Sequence, residues 1–182
     1  MSLYVDPPFA LGQTLGVSSA TDGTGWVGAV KVFPDVDPRT GKVRSNRLKT
    51  CVAVRNGSGV TLQAKRAVSF TAGSYTEVDG YSRVTNAVVA GVVDEFLSSV
   101  GVASNDVFWA TIDGPTELIA SGQVAVGDVV AAVTAHTTNA TDAAGTGGYG
   151  ATVSVTVAPQ RGAIGRVVAG TTGTVSILAG VK

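Results

Sequence analysis

TCVAVRNGSGVTLQAK, residues 50–65, decides the fold class, because two β-rich runs flank the turn-forming segment Asn56-Gly57-Ser58-Gly59. Asn-Gly tolerates the positive φ angles of a tight primed turn, so the stretch predicts a hairpin between TCVAVR and VTLQAK. The pattern repeats outward in both directions. Upstream lies WVGAVKVF, beginning at Trp26, and then a turn-rich, charged connection, PDVDPRTGKVRSNR. Downstream come VTNAVVAGVV, VFWATI, VVAAV, ATVSVTV, AIGRVVA and TVSIL, with turn signals at Asp79-Gly80, Asp113-Gly114, Gly127-Asp128 and Gly170 to Gly173. About ten short strands at such spacing predict an all-β fold, a compact barrel or sandwich.

Composition points the same way. Val, Ile and Thr supply 57 of the 182 residues, whereas Glu supplies three, Lys five and Leu eight, so strand-stiffening side chains far outnumber helix formers. The 24 glycines follow no collagen-like period and sit between apolar runs, as turns do. Only VVDEFLSSV, residues 92–100, fits a helical face, through Val92, Val93, Phe96 and Val100, and it is expected to make at most a turn or two. The length suits a single domain with its own core.

Two segments stand apart from the strand pattern. Residues 1–25 hold no sustained period, and Pro7-Pro8 excludes a regular central strand there. This stretch reads as an extended N-terminal arm. Its apolar residues, among them Tyr4, Phe9, Leu11 and Leu15, are too many for a solvated tail, so the arm is expected to dock on its own body or on another subunit. Residues 26–182 then form a single β-rich domain, in which the glycine-rich stretch 136–150 reads as a long exposed loop.

Catalytic chemistry finds few candidates. One histidine, His136, falls in that loop, and one cysteine, Cys51, falls in an apolar run, so neither a nucleophile-histidine pair nor a zinc site can be assembled. Asp35 and Asp37 lie between Pro34 and Pro38 without a calcium-loop pattern and read as a solvated turn; the acids from 77 to 142 read as decorating outward faces. No glycine cluster has the spacing of a phosphate cradle, and no cofactor is expected. No window is long and apolar enough for a membrane span of about 18 residues, and residues 1–25 lack a basic region followed by an apolar stretch, so synthesis in a cytoplasm is expected.

Charge is unevenly placed. Nine of the thirteen basic residues fall between Lys31 and Arg66 against Asp35 and Asp37 alone, while residues 77–142 hold nine of the thirteen acids against Arg83. Arg39, Lys42, Arg44, Arg47 and Lys49 form a basic run without the interleaved aromatics that stack on bases, which favours a protein partner over nucleic acid. These five residues are therefore expected to face acidic surface on a neighbouring subunit or on the larger lattice it joins.

The order of segments is similar to that of the decoration, or cement, proteins of tailed-phage capsids. The resemblance covers roughly residues 50–180 and rests on TCVAVRNGSGVTLQAKRAVSF, VDGYSRVTNAVVAGVVDEF, NDVFWATIDGPTELIASGQVAVGDVVAAV and APQRGAIGRVVAGTTGTVSILA. It implies a non-enzymatic subunit on the outer surface of the virion head, binding the major capsid protein, itself as a homotrimer, and neighbouring decoration subunits. Two other readings use the same features: a tail-tube or other structural virion component, and a carbohydrate-binding adhesin in which Trp26, Trp109, Tyr75, Tyr81 and Tyr149 stack on sugars.

Overall fold

The computed structural model describes residues 7–16, 25–79, 88–119, 125–127, 129–133, 149–153, 163–170 and 174–180. Ten strands run in chain order: β1 (Val30–Val36), β2 (Val43–Asn56), β3 (Ala67–Phe70), β4 (Glu77–Asp79), β5 (Val89–Val93), β6 (Val107–Ile119), β7 (Val129–Val133), β8 (Tyr149–Val153), β9 (Ala163–Ala169) and β10 (Thr174–Gly180). They form one sheet in the order β1-β2-β4-β3-β5-β6-β10-β9-β7-β8, and an added pairing of β2 with β6 closes β2, β4, β3, β5 and β6 into a ring. The all-β expectation holds, and the architecture is a small closed barrel with a sheet growing from one side.

Each ring strand contributes to one core: Val54 from β2, Val68 from β3, Val78 from β4, Ala90 and Val93 from β5, and Phe108 and Ala110 from β6. The alternate residues of β3 and β5, Ala67, Val89 and Val92, turn outward and meet Leu118, Val130, Val167, Val175 and Ile177 of the sheet extension. On β2 and β6 the alternate residues Cys51, Ala53, Val107 and Trp109 build a third cluster with Phe9, Leu11, Phe33 and Phe96. Strands buried on both faces explain why VVAGVV and VFWAT read as unbroken apolar runs without alternation.

Two local expectations are overturned. The predicted hairpin at Asn56-Gly57 does not exist. β2 is paired along one edge by β6 and along the other by β1 and then β4, so residues 60–65 find no edge to join. They cross the ring instead, with Leu62 fully buried and bridged to Val102. Asn56 anchors this loop, not a turn: its Nδ2 donates to the carbonyls of Val60 at 2.7 Å and Val102 at 3.0 Å. Its Oδ1 accepts from the Ser58 N–H and hydroxyl.

The real hairpin lies earlier, inside the segment read as a charged connection. β1 pairs antiparallel with β2 from Val30↔Val52 to Val36↔Val43. Its turn is held by Asp37, whose carboxylate accepts from the Arg39 N–H and the Thr40 hydroxyl, each at 2.8 Å, and sits below the usual carboxylate range for that reason. Residues 92–100 stay within the turn or two expected of them: they form no helix, only local turns closed by the Leu97 N–H to the Asp94 carbonyl and the Gly101 N–H to the Ser98 carbonyl. Val92 and Val93 occupy opposite faces of β5, and Val100 is exposed.

Candidate interface surface

The sequence-predicted interface residues fall in two places, the β1–β2 hairpin and the arm. On the hairpin, cross-strand pairs share a face. Val30, Val32 and Pro34 on β1 therefore lie beside Val52, Thr50 and Leu48 on β2. Further along β2 this face lines the ring through Val52 and Val54, but past β4 nothing among the described residues covers it. Val30, Val32 and Leu48 are 53%, 52% and 63% exposed, and Val43 beside the turn is 58% exposed. The exposed cations Lys42 and Arg47 adjoin two of these residues in sequence, Val43 and Leu48. Neither makes an ion pair among the described residues.

The opposite face of the hairpin carries charge inward, which corrects part of the interface expectation. Lys49 is 1% exposed and cannot reach a neighbouring subunit. Its Nζ lies 2.6 Å from Glu95 Oε1 and 3.2 Å from Asp35 Oδ1. Arg44 reaches Glu95 Oε1 at 2.7 Å and Glu117 Oε1 at 3.0 Å, and Lys65 meets Glu117 Oε2 at 2.7 Å. Glu95 Oε2 accepts from the Thr116 hydroxyl at 2.7 Å and from the Glu117 N–H. The Phe96 ring covers the group, 4.9 Å from Lys49 Nζ and 5.4 Å from Arg44 Cζ.

Basic and acidic segments far apart in sequence thus neutralise each other within the chain. Asp35 is no solvated turn residue, and Glu95 does not decorate an outward face: both are buried in this network. Arg39 also turns inward with its guanidinium, donating to the Phe96 carbonyl at 2.7 Å. Of the five basic candidates, Lys42 and Arg47 remain for an outside partner.

The arm docks on its own body where it is described. Phe9 stacks on Trp109 with ring centroids 4.7 Å apart, and the Trp109 indole N–H donates to the Phe9 carbonyl at 3.1 Å. Phe33 meets the same indole edge-on at 5.3 Å. Leu11 is buried beside them, and the Leu15 N–H donates to the Val107 carbonyl at 2.9 Å. Two buried carboxylates complete the clip: Asp94 accepts from the Gly12 N–H, and Asp106 from the Gly16 N–H at 2.7 Å. Burial pushes the Asp94 carboxyl up to about 6, against the opposing hydrogen bonds from Gly12 and Phe96. Tyr4 lies outside the described residues.

The remaining candidates are quickly placed. Cys51 is buried, and desolvation raises its thiol to about 12 despite the hydrogen-bonding contact with Thr111, so it behaves as a small apolar side chain. Trp109 is fully buried and offers no stacking face to a sugar, whereas Tyr75 is 85% exposed. His136, Tyr81 and the loop up to Gly148 lie outside the described residues; Tyr149 and Gly150 open β8. No group of three or more His, Cys, Asp or Glu side chains suited to a metal occurs among the described residues. No described helix is long and apolar enough to cross a membrane.

No family model matches this sequence, and no curated protein does. Among solved structures, the chain is similar to the head fiber gp8.5 N base in bacteriophage phi29, with 13% sequence identity and a TM-score of 0.42. The alignment covers 72% of this chain and 96% of that one.

Proposed function

We propose that this chain is a structural virion protein, a decoration subunit that binds the outer surface of a phage capsid and holds its major capsid subunits together. The observation that carries the proposal is the exposed apolar strip Val30, Val32, Leu48 and Val43, with the exposed cations Lys42 and Arg47 next to Val43 and Leu48 in sequence. A strip of this kind on a small domain marks a protein contact surface. Its chemistry selects a partner with apolar side chains ringed by carboxylates, which a capsid lattice can present many times over. The resemblance in segment order to capsid decoration proteins supplies the particular class. Many modest contacts, repeated around a trimer at a local threefold position, act together against outward pressure, and no catalysis is needed.

The test is direct. Purified protein is added to heads of the phage that encodes it, lacking the subunit, and bound copies are counted after sedimentation. Wild type is expected to saturate the lattice, and Val32→Asp/Leu48→Asp to bind poorly while keeping its melting temperature. Wild-type occupancy by that variant overturns this surface, and labelling confined to the tail overturns placement on the head.

A further inference from the structure

Lys49, Asp35 and Glu95 form an arrangement that an ion-pair network does not require. All three are buried, with exposures of 1%, 2% and 6%. A lysine amine is a strong nucleophile once a neighbouring carboxylate takes its proton. Asp35 Oδ1 has no hydrogen-bond donor in bonding geometry although Lys49 Nζ stands 3.2 Å away, so the nitrogen approaches the carboxyl without being aligned to donate to it. Asp35 Oδ2, in contrast, is gripped by the Ser45 hydroxyl at 2.7 Å. Glu95 Oε1 touches the same nitrogen at 2.6 Å, and the Phe96 ring roofs the site.

We propose that Lys49 and Asp35 join in an intramolecular isopeptide bond, with Glu95 carrying the proton. One ammonium proton passes to Asp35 Oδ1. The freed lone pair on Nζ attacks Asp35 Cγ, forming the C–N bond, and the nitrogen, now positive, gives a second proton to Glu95 Oε1. Ser45 donates to Oδ2 as that oxygen gains negative charge. Glu95 then returns its proton to Oδ1, the Cγ–Oδ1 bond breaks, and Oδ1 leaves as water. The ammonium and carboxylate become one amide and one water, Glu95 ends ionised as it began, and no oxidant or cofactor is consumed.

Two physical effects favour the step. The β1–β2 pairing sets Lys49 opposite Phe33, and the irregularity between Pro34 and Val36 leaves Asp35 within 3.2 Å of the amine, which supplies a high effective concentration. Condensation also removes two charges from an interior where each is costly, replacing them with a neutral amide. The product staples β1 to β2 behind the exposed strip and fixes the hairpin against shear.

Mass spectrometry of the intact, folded full-length chain tests this. The expected mass is one water below that of the sequence, and trypsin is expected to leave a branched peptide joining residues 32–39 to residues 48–55, uncut after Lys49. A folded chain at its full sequence mass, cleaved normally after Lys49, overturns the proposal. So does a water loss that maps to Asp79-Gly80 or Asp113-Gly114, where a succinimide forms instead. Lys49→Met is expected to show the unlinked mass. Glu95→Gln, checked for folding by circular dichroism, is expected to link about 100-fold more slowly, the usual contribution of a positioned proton carrier. Linking at the wild-type rate in that variant removes Glu95 from the step.

Discussion

Asp94 shows how one buried side chain can make arm docking depend on pH. Its carboxyl is raised from an ordinary value of 3.8 to about 6, chiefly because burial removes it from water. Glu95 raises it further, while the Gly12 and Phe96 N–H groups and Lys49 pull it back. A group whose folded value exceeds its unfolded one contributes stability that is fully present below about pH 3.8 and is lost as pH rises through about 6. The stability of wild type relative to Asp94→Asn is therefore expected to increase by about 2 to 3 kcal/mol as pH falls from about 7 to 4. Urea titrations of both proteins across that range check it; a difference independent of pH contradicts it. Gly114 carries a second expectation at this scale. It sits mid-strand in β6 with φ of 94°, and a Cβ there would strike the Leu48 carbonyl of β2. Gly114→Ala is expected to lower stability by about 2 to 4 kcal/mol through backbone strain and separation of the two strands. In the sequence, Asp113-Gly114 reads as a turn. The φ angle agrees with that signal, but the strand continues through it, because the glycine serves the close crossing of β2.

Among the elements, the strands themselves were the most legible, since VFWATI, TVSIL and AIGRVVA carry the β-branched and aromatic content that strands need. Their partners were not. Asn56-Gly57 satisfies every local rule for a hairpin, yet both edges of β2 were already taken, and edge occupancy is a property of the whole sheet. The charged run after Pro34 hid a strand because residues 43–48 are nearly all exposed and its buried members, Asp35 and Lys49, are charged, so polarity masked the period. The arm was legible as an apolar segment without a period, and its docking on Trp109 gives that reading a structure. Its removal has a measurable consequence. Deleting residues 1–16 uncovers Trp109 and withdraws Phe9 and Leu11, each a burial of about 1.5 to 3 kcal/mol. The truncated protein is expected to lose about 3 to 6 kcal/mol of stability, with tryptophan fluorescence shifted to the red. A truncated chain with the wild-type urea midpoint and emission contradicts a structural clip.

At the scale of the molecule, the zero net charge conceals a folding solution more than an assembly code. Arg44, Lys49 and Lys65 find Asp35, Glu95 and Glu117 within the chain, so much of the segregation seen along the sequence disappears in three dimensions. Sequence distance conceals such pairs: Lys49 and Glu95 are 46 residues apart and meet only because β1, β2 and the end of β5 converge. What remains for an outside partner is smaller and mixed in character, an apolar strip with Lys42 and Arg47 at its margin. This distinguishes substitutions that the linear run treats alike. Arg44→Glu would put a third carboxylate beside Glu95 and Glu117 and is expected to destabilise the fold by about 3 kcal/mol or more. Lys42→Glu/Arg47→Glu touches only exposed side chains, whose ion pairs are worth about 0 to 1 kcal/mol each, and is expected to leave the melting temperature within a degree or two. On the proposed function, capsid occupancy separates them in the other direction. The Lys42/Arg47 double variant is expected to bind fewer copies and to lose the salt sensitivity of wild-type binding, because screening shortens electrostatic reach to about 8 Å at physiological ionic strength. Occupancy equal to wild type across a salt series would leave the apolar strip to bind alone and remove the two cations from the interface.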